Sequence, residues 1–247
     1  MTRNAFHNLL HPFQPFIVGQ RIIGPAMAKR FGIKLVMYGE NQAEYGNAIE
    51  ENSNPIMNMD FFSSDNSTQM KFGGVCLEDY VKSGKYTEND FIPYIAPKKQ
   101  DLIDAGVEVH YLGYYLKWDP QECYYYASEN TGFEANPTRT EGTYSKYSSI
   151  DDKIDPFHYF TTFIKFGIGR CTYDAAQEVR NQKMTRKEAV YLVNKYDAEF
   201  PSKYFGDFLD YIDTSEQEFH RIIDEHRSPH LWKRNKDHTW SLRHSVK

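Results

Sequence analysis

Glu40, Asn41 and Glu44 fall within one polar run, GENQAEYGN at residues 39–47, directly after an apolar hexapeptide. Oxygen donors grouped this closely suit Mg²⁺, a sugar hydroxyl or a nucleotide. The same residues also read as a helix start, with Asn41 as N-cap and Glu44 closing a capping box three residues later. The two readings are compatible, because a helix N-terminus after a strand is itself an anion-binding position. A second concentration of chemistry lies in EANPTRTEGTYSKYSSIDDKID, residues 134–155, rich in hydroxyls and charges and poor in aliphatics. Arg139, Lys146, Tyr144 and Tyr147 in that run suit a phosphorylated sugar or a nucleotide. Alternatively the run is a solvated loop packed by its own tyrosines. Its length favours a functional segment over a plain connection. Gly167-Ile168-Gly169-Arg170 forms a short glycine turn that resembles a phosphate cradle, but the chain has neither GxGxxG nor GxxxxGK[ST]. GxSxG and a Cys–His nucleophile pattern are also missing, and the nine histidines are scattered.

These residues need elements to hold them. Residues 20–31 read as an amphipathic helix weakened at Gly24-Pro25 and capped by Gly32. The next six residues, 33–38 (IKLVMY), predict a strand buried on both faces of a parallel sheet. A second unit repeats the order: helix at 101–105, stop at Gly106, strand at 107–112, then the loop GYYLKWD at 113–119. Helix, glycine, strand and loop used twice is an α/β signature, and ligands of such sheets bind where the loops leave the strands. Two strands are too few for a doubly wound domain, so the sheet is expected to be incomplete. Residues 50–67 read as a surface loop, and 76–82 and 88–94 as short helices, with Thr87 capping the latter. After Trp118 the chain turns helical. Capping boxes stand at Asp119–Glu122, Thr185–Glu188 and Ser215–Glu218, and a further helix is expected over 173–180. The basic tail from Arg227, with two tryptophans, reads as a terminal strand or docking segment. The expected domains are 1–118 and 119–247.

Composition narrows the function. The 247 residues carry 29 basic and 34 acidic side chains, a net charge of −5, which disfavours a nucleic-acid partner. Apolar residues make up 40% and aromatics 16%, the latter from 19 Tyr, 17 Phe and 3 Trp, enough for a packed core. Cys76, Cys123 and Cys171 lack zinc-ligand spacing and read as free thiols of a reducing compartment. No run reaches the ~20 apolar residues of a membrane span, and the N-terminus does not read as a signal peptide. The expected location is cytoplasmic.

The segments NLLHPFQPFIVGQ, YGENQAEYGN, EVHYLGYYLKWDPQECYYYASENTGFEANPTRTEGTYSKYSSIDDKIDPFHY and KFGIGRCTYDAAQEVRNQKMTR together resemble the N-acetyl sugar amidotransferases. These enzymes of lipopolysaccharide O-antigen and pseudaminic- or legionaminic-acid biosynthesis belong to the PP-loop ATP-pyrophosphatase superfamily. The resemblance implies an α/β chain: an incomplete Rossmann-like PP-loop parallel sheet (adenine nucleotide alpha-hydrolase-like) followed by a mainly helical C-terminal region. It implies conversion of an acetamido sugar to an acetamidino sugar, with ATP adenylating the amide oxygen and ammonia displacing AMP. ATP and Mg²⁺ are the implied cofactors. The implied partners are a nucleotide-linked or free acetamido sugar and the glutaminase and cyclase-like subunits that supply ammonia.

One departure is large. The family's SGGxDS pyrophosphate loop and its preceding cysteine pairs are missing here, and the likeness covers only the family's C-terminal two-thirds. The chain is therefore expected to be the substrate-side portion of such an enzyme, functional only with an N-terminal PP-loop part that lies on a separate chain, has been lost or is left out of this sequence. Chemistry and loop position, rather than the family pattern, place Glu40, Asn41 and Glu44 nearest the reaction. On the same grounds Tyr45, Lys117, Arg139, Lys146, Tyr147 and Arg170 are set against the sugar or the phosphates. The alternative expectation is a module without turnover that binds a nucleotide sugar or docks the glutaminase.

Overall fold

The computed structural model describes residues 1–39 and 54–247, with the backbone alone for Thr68. It is a mixed α/β protein, and its chain divides into two compact units. The first comprises Met1–Asn8 and Gln14–Trp118, the second Leu9–Phe13 and Asp119–Lys247.

In the first unit, α1 (Thr2–Leu9) leads to α2 (Gln14–Phe31) and then to β1 (Leu35–Tyr38). The helix starts six residues before the predicted position, because Pro15 sits in its first turn, where a missing N–H costs nothing. It continues through Pro25 and ends at Gly32, whose φ of 68° provides the left-handed cap, with Ile33 N–H bonding back to Ala28 O at 2.9 Å. The β2 (Lys71–Phe72) and β3 (Val75–Cys76) hairpin follows, then α3 (Leu77–Lys82), a 3-10 stretch at Glu88–Tyr94, α4 (Lys99–Asp104) and β4 (Glu108–Tyr111). Thr87 and Asp90 cap the 3-10 stretch reciprocally.

β1 and β4 pair in parallel, Leu35 beside Glu108 and Tyr38 beside Tyr111. One face of this sheet is well packed. Val109 and Tyr111 are buried with Ala28, Met57, Phe62, Leu102 and Val107, and Val36 and Tyr38 lean on the same cluster. The Tyr38 hydroxyl donates to Gln20 O at 2.7 Å, fastening α2 to the strand. The other face corrects the expectation of a strand covered on both sides. Leu35 and Met37 keep 49% and 44% of their surface exposed, because no described element covers them.

The second unit contains α5 (Pro120–Asn130), α6 (Asp155–Phe166), α7 (Arg170–Arg180), α8 (Arg186–Tyr196), α9 (Phe205–Tyr211) and α10 (Glu216–Glu225). It ends in the antiparallel hairpin β5 (Trp232–Arg234) and β6 (Trp240–Leu242). Its core is aromatic: Phe157 stacks on Phe208 at 4.1 Å, and Phe219 meets Phe205 edge-on at 5.0 Å. The Trp232 indole donates to Ile164 O at 2.7 Å, and the Arg227 guanidinium lies 4.2 Å over its ring. These contacts bind the tail hairpin to α6.

The caps follow their sequence signals in part, and Ser215 accepts Glu218 N–H at 3.2 Å. Thr185 and Glu188 form the full box. Asp119 accepts from Glu122 N–H at 3.2 Å, but the Glu122 carboxylate turns away to Lys183 instead of closing the box.

Candidate functional site

Residues 134–155 contain no helix or strand apart from the first residue of α6, yet they are tied down. Asn136 N–H bonds Lys146 O at 2.9 Å, Thr140 N–H bonds Ser145 O at 2.9 Å, and the Thr140 hydroxyl bonds Ser148 O at 2.6 Å. The run is a folded polar loop, and α7 docks on it through Cys171 N–H to Gly142 O at 3.1 Å.

Arg170, the first residue of α7, is the centre of the charge. Its Nε donates to Asp174 Oδ1 at 2.8 Å, one helical turn on, and its guanidinium lies 5.2 Å over the Tyr159 ring. Thr143 donates to the other oxygen of Asp174 at 2.5 Å. Ser149, held at φ 53°, bridges the Asp155 carboxyl and the Tyr159 phenol. Burial raises the affinity of Asp155 for its proton, despite the hydrogen bonds from Ser149 and Tyr159. Tyr147 stacks face to face on Tyr124 at 4.6 Å and donates to Gln121 Oε1 at 3.0 Å. Burial, reinforced by the nearby carboxylates of Asp174 and Glu178, holds the Tyr144 and Tyr147 phenols protonated far above the usual range. The Tyr144 hydroxyl is buried and finds no hydrogen-bond partner among the described residues. A desolvated donor of this kind costs free energy until a ligand or water engages it. Phenols, a protonatable carboxyl and one guanidinium can bond sugar hydroxyls and an acetamido group, while stacked tyrosines offer a face to sugar C–H groups.

The expected phosphate cradle is corrected. The N-terminus of α7 is filled by the side chain of Asp197, which accepts Gly169 N–H at 2.8 Å, Thr172 N–H at 2.9 Å and the Thr172 hydroxyl at 2.5 Å. A Cβ at Gly169 would sit 2.9 Å from Asp197 atoms, so glycine is required there by contact. An internal carboxylate occupies the position an anion would take.

The expected site residues separate into groups. Glu40, Asn41, Glu44 and Tyr45 lie outside the described residues. Lys117 is exposed in the first unit, just beyond the 3-10 turn at Leu112–Tyr114. Lys146 is exposed on the polar loop. Tyr147 and Arg170 are brought into one electrostatic neighbourhood, the charge of Arg170 lowering the proton affinity of Tyr147. Arg139 is engaged internally. Both its terminal nitrogens bond Glu199, at 2.6 and 2.5 Å, and its guanidinium lies 4.3 Å over Tyr196. Burial pushes the Glu199 carboxyl up, but the bonds from Arg139 and Gly142 N–H outweigh it and leave it below its ordinary value. Sequence reading missed Asp155, Tyr159 and Asp174. Asp174 had a signal in its position four residues after Arg170 on one helix, whereas Asp197 and Glu199 had none.

The described residues give a weak fit to ATP and Mg²⁺. They contain no group of three His, Cys, Asp or Glu placed to hold a metal. No helix among them is long and apolar enough to cross a membrane.

Residues 141–247 match the family model for the C-terminal domain of WbpG-like LPS biosynthesis proteins. The matched stretch begins inside the polar loop and takes in Tyr144, Tyr147, Asp155 and Arg170. The second unit is thus similar over most of its length to a domain of lipopolysaccharide biosynthesis. No curated protein matches the chain.

Proposed function

We propose that the chain is the substrate-side portion of an N-acetyl sugar amidotransferase that converts an acetamido sugar to an acetamidino sugar in surface-glycan biosynthesis. The product would enter lipopolysaccharide O-antigen or pseudaminic- or legionaminic-acid synthesis, and the enzyme would act in the cytoplasm. One observation carries the reading: the stretch similar to a lipopolysaccharide-biosynthesis domain is the stretch that holds Tyr144, with its buried, unpartnered hydroxyl, together with Tyr147, Asp155, Tyr159 and Arg170.

In this reading Arg170, Tyr147 and Lys146 contact the sugar or its phosphates, and Arg139 positions the loop through Glu199. Glu40, Asn41 and Glu44 stand nearest the reacting amide, with Tyr45 and Lys117 on the nucleotide or phosphate side. The described residues do not form the ATP and Mg²⁺ site, so that site falls to a PP-loop part outside them, with ammonia coming from glutaminase and cyclase-like subunits. Calorimetry with a UDP-linked acetamido sugar and, separately, with ATP–Mg tests this. Sugar binding that is lost in Arg170→Met and Tyr147→Ala supports the reading, as does amidine formation after the PP-loop part and an ammonia source are added. A sugar that does not bind overturns it.

The alternative, a module that binds without turnover, is favoured by Asp197 and Glu199, internal carboxylates that occupy the anion positions. Sugar binding without amidine formation in the reconstituted system would select it.

A further inference from the structure

The face of the first unit's sheet that no described element covers carries a groove of about 470 Å³, lined by Lys34, Leu35, Met37, Gly106 and a hydrogen-bonded trio, Glu108, His110 and Tyr115. A volume in this range with mainly apolar walls and a few convergent polar groups is the ordinary form of a small-molecule site. His110 stands between its two partners, Nε2 3.1 Å from Glu108 Oε2 and Nδ1 2.6 Å from the Tyr115 hydroxyl. An ionised carboxylate only accepts, so Nε2 carries the proton and Nδ1 is the acceptor. Tyr115 therefore donates to His110, and its own oxygen is left electron-rich in the wall of the groove. The order carboxylate, imidazole, hydroxyl is that of an activated nucleophile or general base, with the carboxylate fixing the tautomer. Its parts come from local geometry. Glu108 and His110 share one face of β4 at i and i+2, and the 3-10 turn at Leu112–Tyr114 returns Tyr115 against His110, the rings stacking at 5.9 Å.

We infer that this groove is a second reactive site, in which Tyr115 acts as a general base backed by His110 and Glu108. The ligand it fits has an apolar or aromatic body along Leu35 and Met37, an anionic group at Lys34, and a hydroxyl or amine at the Tyr115 end. In the step it performs, the ligand's O–H or N–H proton passes to Tyr115 Oη as the Tyr115 proton passes to His110 Nδ1. The resulting imidazolium is stabilised by Glu108. No other reactant is needed. The inference does not depend on the sugar reading, which uses none of Lys34, Glu108, His110 and Tyr115.

The probe is 4-(fluorosulfonyl)benzoate, which carries a carboxylate for Lys34, a ring for the apolar wall and an electrophilic sulfur for Tyr115. In labelling, a bond forms between Tyr115 Oη and sulfur, the S–F bond breaks, the phenol proton moves to His110 and fluoride leaves. Peptide mass spectrometry of the full chain should show Tyr115 labelled about a hundredfold faster than the exposed Tyr126 and Tyr191, the lower range of general-base assistance. His110→Gln should bring Tyr115 to the rate of those two, and Glu108→Gln should slow it. Lys34→Met should slow this probe but leave benzenesulfonyl fluoride unaffected. These side chains lie on the face that no described element covers, and circular dichroism is to check that each variant is folded. Should His110→Gln unfold, the Glu108→Gln rate decides. Labelling of Tyr115 no faster than Tyr126, or at an unchanged rate in the folded His110 or Glu108 variant, overturns the inference.

Discussion

Asp197 sits beneath the first turn of α7 and takes the Gly169 and Thr172 amides at 2.8 and 2.9 Å, so a helix N-terminus that would otherwise call for a bound anion is closed by the protein's own carboxylate. The arrangement converts a binding position into a structural joint between α7 and the end of α8, whose C-cap is Asp197. Stability is the quantity it controls. Asp197→Ala leaves buried donors unpaired and should lower unfolding free energy by about 3 kcal/mol in urea titration. Asp197→Asn keeps one acceptor and should lose roughly half of that. Gly169→Ala should be destabilising as well, through the 2.9 Å contact.

Arg139 and Glu199 form a second internal pair. Removing either alone leaves a half-buried charge, so Glu199→Gln and Arg139→Met should each cost about 2 kcal/mol. The double variant Arg139→Met/Glu199→Met should cost less than the sum of the single changes, and a double-mutant cycle in urea measures the coupling. If Arg139 positions the loop without touching ligand, the double variant retains most of its affinity for the UDP-linked sugar.

Tyr144→Phe should separate folding from binding. The hydroxyl is buried without a partner, so removing it should raise stability by about 1 kcal/mol. The same change should weaken binding of the acetamido sugar several-fold, as calorimetry would record. A variant both less stable and unaltered in binding would remove Tyr144 from the site.

His158 gives the second unit a dependence on pH. Burial, aided by the nearby His11, Arg170 and Lys165, pushes its proton affinity down to about 3 from the ordinary 6.5. Between these values the unfolded chain holds a proton that the folded chain refuses. The contribution is therefore complete above about pH 6.5 and is lost as pH falls toward 3, by up to about 1.4 kcal/mol per unit. Asp155 and Asp197, raised by burial, act in the opposite sense, since the folded chain takes up their protons first. Comparing the wild-type chain with His158→Phe in urea from pH 7 to pH 4 isolates the histidine. The variant should show the shallower loss on acidification.

Patterns within a few residues were legible in the sequence: the Thr185–Glu188 box, the Gly32 cap and the two strands that pair each rest on local chemistry. The polar loop at 134–155 was legible as a loop by composition, and Tyr147 and Arg170 do share a neighbourhood. The counter-charges were hidden. Asp197 and Glu199 act on groups more than 20 residues away in the chain, and nothing in their own surroundings distinguishes them from surface carboxylates. The exposed face of β1 was hidden for a related reason, since an apolar run reports that a strand tolerates burial without reporting what is available to cover it. His110 and Tyr115 are five residues apart, but their meeting depends on a 3-10 turn that hydrophobic patterning does not record.

The short segment Leu9–Phe13 belongs to the second unit although more than a hundred residues separate it from Asp119. Leu10 is 1% exposed and held at φ 46°, Leu9 O receives the Lys165 ammonium at 2.9 Å, and the rings of His11 and Phe13 stack on His158. The second unit is thus assembled from two pieces of chain with Gln14–Trp118 of the first unit between them, and the matched stretch at 141–247 is narrower than the unit. On a ribosome the strap is made well before its partner helix, α6, and waits for it. Excising residues 141–247 alone would strip His158 of its stacked rings and Lys165 of its acceptor, so any fragment meant to stand for the second unit has to bring residues 9–13 with it.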